Sequence, residues 1–105
     1  SKNDLAIALD GKIIVTGVGR DSVAGPSHQF FGIVRRYNLD GSPDINFARM
    51  GKRSLLVGSD YTQFDRVTVD DGEGFLLLGT RQIGSNTFEA FVSRINGSRK
   101  LPLQN

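Results

Sequence analysis

The sequence predicts an all-β fold. Three observations carry this: short stretches in which large apolar side chains alternate with small or polar ones, Asp-Gly turns set between apolar runs, and thirteen Gly against three Pro, with no Trp and one Met, in 105 residues. A period of two marks a strand with one face toward a core. The Gly content suits tight turns between short elements. One domain with a modest core is expected, because chains of this size bury roughly two thirds of the surface their unfolded forms expose.

The pattern runs twice through the chain. Residues 7–17 read Ile-Ala-Leu-Asp-Gly-Lys-Ile-Ile-Val-Thr-Gly, and residues 67–79 read Val-Thr-Val-Asp-Asp-Gly-Glu-Gly-Phe-Leu-Leu-Leu-Gly. Leu9 and Val69 are sixty positions apart, and Gly17 and Gly79 sixty-two, the second turn being two residues longer. A second block, residues 30–38, matches residues 88–96 at an offset of fifty-eight. The length differences fall in the turns and loops, as a true internal repeat requires. The expected organisation is a single domain over residues 1–105, with repeat one at about 5–44, repeat two at 54–97 and a C-terminal segment at 98–105.

Each repeat reads as a series of strands. Leu5, Ile7 and Leu9 alternate with Ala6 and Ala8, and Val67 and Val69 alternate with Arg66, Thr68 and Asp70. Asp10-Gly11 reads as a compact hairpin turn of the primed kind, which asks for positive φ. The returning stretches, residues 13–15 and 75–78, are apolar without alternation, the pattern of strands buried on both faces. A sheet built from them must lie between neighbours. In the third stretch Phe30, Ile33, Val34 and Tyr37 also fit a helical stripe, as do Phe88, Phe91, Val92 and Ile95. Aromatic and β-branched density favours strand there, and Gly32 disfavours helix by about 1 kcal/mol relative to Ala.

Residues 54–58 are expected to open repeat two, making it a complete unit of four strands at 54–58, 64–69, 74–80 and 88–96. Repeat one then has three strands. Residues 101–103 are expected to supply its fourth, from this chain or a neighbour, and Pro102 confines that segment to a sheet edge.

Two runs carry a family resemblance. Asp10-Gly11-Lys12-Ile13-Ile14-Val15-Thr16-Gly17 and Arg35-Arg36-Tyr37-Asn38-Leu39-Asp40-Gly41-Ser42-Pro43-Asp44, continued by Asn46-Phe47, resemble the delta-60 repeat family of bacterial proteins. The second copy departs more: its Lys is absent, Ile95 stands at the Tyr position, and Asn96-Gly97-Ser98 lacks the Asp. The resemblance implies two β-propeller-like blades of antiparallel strands, and an extracellular or cell-surface location in a bacterium. Propellers have four to eight blades, so two blades imply a fragment of a longer array or a ring assembled from several chains. A homo-oligomer is expected, a trimer giving six blades.

Charge and composition exclude several functions. The net charge of +2 is spread over scattered Arg residues, without the basic face or run of a nucleic-acid binder. Zero Cys excludes disulfides and thiolate metal sites. No apolar run approaches the ~20 residues a spanning helix needs, so no membrane insertion is expected. His28 is the only histidine, and no triad or metal-ligand partners stand at suitable spacing. The run from Asn38 to Asp44 has the alternating oxygens of some calcium loops, but it lacks a closing bidentate Glu and reads as an Asx-stabilised turn. The acids Asp70, Asp71 and Glu73 read as solvated. Arg36 and Arg94, at matching places, are expected to cap strand ends and cover apolar surface. The sequon at Asn96-Gly97-Ser98 is expected by chance.

No catalytic residue, metal site or cofactor is predicted, and the chain is not expected to be an enzyme. Loops over a rigid scaffold are where binding residues concentrate. That points to Arg20, His28 and Gln29 in the longer loop of repeat one, and to Tyr61 and Gln63 in the connection of repeat two. The expected function is a non-enzymatic interaction or scaffold module, with neighbouring repeats, a protein or a glycan as partner. The alternatives are a carbohydrate-binding lectin with sites between blades, disfavoured by the lack of Trp, and a non-catalytic repeat domain of a larger secreted enzyme.

Overall fold

The computed structural model describes residues 3–20, 29–70 and 74–96. Seven strands and no helix occur among them: β1 (Asp4–Ile7), β2 (Ile13–Gly19), β3 (Phe31–Tyr37), β4 (Lys52–Leu55), β5 (Thr62–Val69), β6 (Gly74–Gln82) and β7 (Phe88–Asn96). They form two antiparallel sheets, one of four strands in the order β1-β2-β3-β4 and one of three in the order β5-β6-β7. The fold is therefore all-β, and the third stretch of each expected repeat is strand rather than helix. Residues 98–105, expected to hold a further strand, lie outside the described residues.

The registers of the two meanders correspond. Ile7 faces Ile13, which faces Tyr37; in the second sheet Val69 faces Phe75, which faces Ile95. Likewise Ile14 faces Arg36 as Leu76 faces Arg94, and Thr16 faces Val34 as Leu78 faces Val92. The first strands match at Ile7 and Val69, two residues from the Leu9 alignment read in sequence, because Leu9 lies beyond the end of β1. At the first hairpin Gly11 takes φ 89° and its N–H donates to the Ala8 carbonyl, while Asp10 Oδ1 accepts from the Lys12 N–H. Positive φ is thus needed at Gly11 and not at Asp10, so the turn is not of the primed type.

The four-stranded unit is the first, and the three-stranded unit the second, the reverse of the expectation. Lys52–Leu55 pairs with β3, with Lys52 opposite Arg35 and Leu55 opposite Gly32. The chain reverses between β3 and β4 through a compact loop with left-handed residues at Ala48 (φ 49°), Met50 (φ 53°) and Gly51 (φ 87°). The Arg36 N–H donates to the Gly51 carbonyl, and the Asp44 N–H to the Arg36 carbonyl. A Cβ on Gly51 would stand 3.2 Å from that Arg36 carbonyl oxygen. Residues 56–58 are not strand, because the Thr62 hydroxyl takes the amides of Val57 (2.8 Å) and Gly58 (3.3 Å).

One core joins the sheets. Ile14 and Val34 from the first sheet meet Phe64, Val67, Phe75, Leu77 and Ile95 from the second, with Phe47 entering from the β3–β4 loop. Ala6 and Leu55 flank this cluster on the first sheet. The closest approach is at Gly32, where a Cβ would lie 2.7 Å from the ring of fully buried Phe64. Phe64 sits beside a bulge in the pairing of β5 with β6, between Phe64 and Arg66. Bulges bend a strand and sharpen its twist.

The central strands β2 and β6 are buried on one face only, whereas in β3 the consecutive residues Phe31, Gly32, Ile33 and Val34 are all buried. In β6, Phe75 and Leu77 are buried while Leu76 and Leu78 are exposed; in β2, Ile14 is buried and its neighbours Ile13 and Val15 are half-buried. The two-sided burial expected from the continuous apolar runs is thus half met within the chain. Gly32→Ala should lower stability by about 1–3 kcal/mol through overpacking against Phe64, read as a lower urea midpoint with an unchanged slope. An unchanged midpoint would show that the sheets can separate to accept a methyl group.

Candidate functional site

The connection between β4 and β5 is stitched to both sheets. The Phe30 N–H donates to the Asp60 carbonyl (2.8 Å) and the Thr62 N–H to the Phe30 carbonyl (2.9 Å), a parallel bridge from the start of β3 to the start of β5. On its other side the Ser59 N–H donates to the Gln82 carbonyl (2.8 Å) and the Gln82 N–H to the Tyr61 carbonyl (3.0 Å). Tyr61 is therefore held between the sheets.

An aromatic row forms across this junction. The rings of Phe30 and Tyr61 are tilted with centroids 5.8 Å apart, and those of Tyr61 and Phe88 meet edge to face at 6.0 Å. The Arg20 guanidinium lies over Phe30, 5.0 Å from its centroid, a cation–π distance. Phe88, at the start of β7, is exposed. A polar chain leaves the row: the Tyr61 hydroxyl donates to Gln63 Oε1 (2.5 Å), the Gln63 amide donates to Asp65 Oδ1, and Asp65 Oδ2 accepts from the Thr80 hydroxyl (3.0 Å). Burial raises the Tyr61 phenol above its ordinary pKa, and the nearby Asp65 charge adds to this. The hydroxyl is therefore a proton donor at neutral pH.

Of the residues singled out in the sequence, Arg20, Tyr61 and Gln63 come together at this junction. Gln29 reaches it through a hydrogen bond that its side-chain amide donates to Asp60 Oδ1 (3.3 Å). His28 lies outside the described residues. Sequence reasoning missed Phe30 and Phe88 as site residues, reading them as strand. The available signal was their recurrence: an aromatic opens the third block of each copy. The arrangement offers ring surfaces, one guanidinium and amides, which suit a ligand with an apolar face and hydroxyls.

A second polar cluster is structural. Arg36, on the core face of β3, is buried and its Nε lies 2.9 Å from Asp44 Oδ2, with the guanidinium 4.8 Å from the centroid of the buried Phe47 ring. Lys12 Nζ adds a contact of 3.4 Å to the same oxygen and bonds Asn38 Oδ1 at 2.5 Å. Asp40 Oδ1 accepts from the Ser42 N–H (2.9 Å) and hydroxyl (2.6 Å), as an Asx turn does. The carboxylates of this loop are thus engaged by protein donors. Arg94 differs from Arg36 in standing on the exposed side, paired with Asp70. No group of His, Asp or Glu suited to a metal ion occurs among the described residues.

Burial pushes the Asp44 carboxyl up, but the Asn46 amide and the Arg36 and Lys12 cations outweigh it, so its pKa lies below the ordinary value. A lowered folded pKa adds stability above the unfolded carboxyl's pKa of about 3.9, lost as pH falls through the folded value. Asp44→Asn should cost about 3–5 kcal/mol at pH 7 by removing the buried carboxylate that Arg36 and Lys12 share. Below pH 4 the difference between variant and parent should shrink, as followed by urea denaturation across pH.

Comparison with known proteins returns no matching family model, no matching curated protein and no matching solved structure.

Proposed function

We propose that this chain is a non-enzymatic interaction module of propeller-type repeats, acting as a pair of blades within a homo-oligomeric ring or a longer array. One observation carries the reading: both outward sheet faces hold large apolar side chains in solvent. Ile7 is 60% exposed on the first sheet and Val92 69% on the second, and Leu5, Leu76 and Leu78 extend the two patches. Contiguous exposed apolar patches mark contact surfaces. The matching registers of the two meanders support the repeat, and with it the resemblance to delta-60 repeats of the bacterial cell surface.

Light scattering behind size exclusion tests this. The parent should run above the 11.4 kDa of one chain. Ile7→Glu and Val92→Glu should each give a monomer with unchanged melting temperature, since surface substitutions usually alter stability by less than about 0.5 kcal/mol. A folded monomer of the parent at micromolar concentration removes the reading.

The aromatic row favours a second reading, a lectin with its site between blades. Phe30 comes from one sheet and Phe88 from the other, and Tyr61 lies between them. A glycan array should then show a bound class of sugar, with binding at least tenfold weaker in Phe88→Ala. An array on which parent and variant both stay blank removes this alternative.

A further inference from the structure

The two sheets are packed with unlike faces together. The first sheet contributes the face bearing Ala6, Ile14 and Val34; the second contributes the face bearing Val67, Phe75, Leu77 and Ile95. The pairing registers say which residues are equivalent. With Ile7, Ile13 and Tyr37 matched to Val69, Phe75 and Ile95, the counterparts of Ile14, Thr16 and Val34 are Leu76, Leu78 and Val92. These form the open face of the second sheet. By the same rule the counterparts of Val67, Phe75 and Leu77 are Leu5, Ile13 and Val15, on the open face of the first.

Among the described residues there is one contact between a first type of face and a second, and one example of each is left largely uncovered, Phe31 and Ile33 being buried at one end of the open face of the first sheet. Resting on the module reading above, we infer that the open face of the second sheet docks onto the open face of the first sheet of a second copy of this chain, head to tail. The contact repeats, between molecules, the packing already present within one. It is heterologous, so an open series keeps one free face of each type, at its two ends, until it closes into a ring.

Three details fit a copy of the chain as the occupant. The open face of the first sheet is concave, with a hollow of about 320 Å³ lined by Val15, Ile33 and Tyr37 together with the polar Asn3 and Arg35. The apolar side chains Leu76, Leu78 and Val92 would meet its apolar part, at Val15 and Ile33. Arg94, beside Leu76, is neutralised by Asp70, as Arg36 beside Ile14 is neutralised by Asp44 inside the existing core. Neither of these two arginines therefore brings an unbalanced charge into its interface, where it would be costly. Two details make the contact between copies weaker than the internal one: Arg35 and Lys52 on the first open face and Arg66 on the second are like charges, and Asn3, which lies against Gly17, stands where the second sheet has Phe64 beside Gly79. No aromatic wedge is available there.

The absence of Cys allows a direct test. Leu5→Cys and Leu76→Cys place single thiols at the counterparts of Val67 and Ile14, which share the internal core. Treated with a short bismaleimide at the same micromolar concentration as the light-scattering test, the mixed pair should cross-link to a dimer. Each variant alone should stay monomeric, and a chain carrying both thiols should give a ladder. Self-linking of either single variant as efficient as the mixed pair means like faces meet, and overturns the inference. Absence of a mixed dimer also overturns it. Light scattering on the parent separates the two proposals: a mass above one chain without mixed cross-links leaves the module reading standing and removes only the head-to-tail mode, whereas a monomer removes both.

Discussion

The packing of Phe64 onto Gly32 sets the relation between the two sheets. Phe64 is fully buried and its ring occupies the space where any other residue at position 32 would carry a Cβ. With the ring seated there, β5 lies across the core face of the first sheet, and Ile14, Val34, Val67, Phe75 and Leu77 close around it. The second end of the core is sealed from the loop side. Phe47 packs on Phe75 with centroids 5.6 Å apart, and the ion pair of Arg36 with Asp44 holds that loop in place. Large apolar rings at both ends of a small core make its packing sensitive to single methylene changes, as close-packed interiors are.

The same economy leaves each sheet with an apolar face in water. β2 and β6 have the continuous apolar runs of strands that lie between two layers, yet the described residues supply one interface for two sheets. Four layers of side chains exist and two are used. The aromatic row at the junction belongs to the same logic. It is built by one sheet's Phe30 and the other's Phe88 around a connection hydrogen-bonded to both.

Much of this was legible in the sequence. Alternation at Leu5 and Ile7, the Asp10-Gly11 turn and the apolar runs led directly to β1, β2, β5 and β6, and the offsets of sixty-two and fifty-eight reappear in the registers. The strand at 52–55 was misassigned because its partner is chosen by the loop before it. Leu55, Leu56 and Val57 look like a strand core, but their partition is decided by Asp44, Gly51 and the Thr62 hydroxyl, contacts no local period reveals. The junction was half legible. Loop position pointed to Arg20, Tyr61 and Gln63, whereas Phe30 and Phe88 gain their role only when two sheets bring them to one side chain. The buried pairing of Arg36 with Asp44 spans eight residues, and a charged pair at that spacing has no periodic signature.

Asp4 shows how the two layers are kept from becoming one. Its Oδ2 accepts the Val67 N–H at 2.9 Å, on the edge of β5 that no strand of the second sheet covers. A backbone neighbour in that place would go on to donate in return and zip β1 and β5 into a single continuous ribbon. A carboxylate accepts and offers nothing back, so the ladder ends after one rung, and the bulge beyond it at Phe64 and Arg66 turns the strand out of register with any successor. The edge of β5 is therefore closed to β1 at this point, while β1, β4 and β7 are the other edge strands of the two sheets.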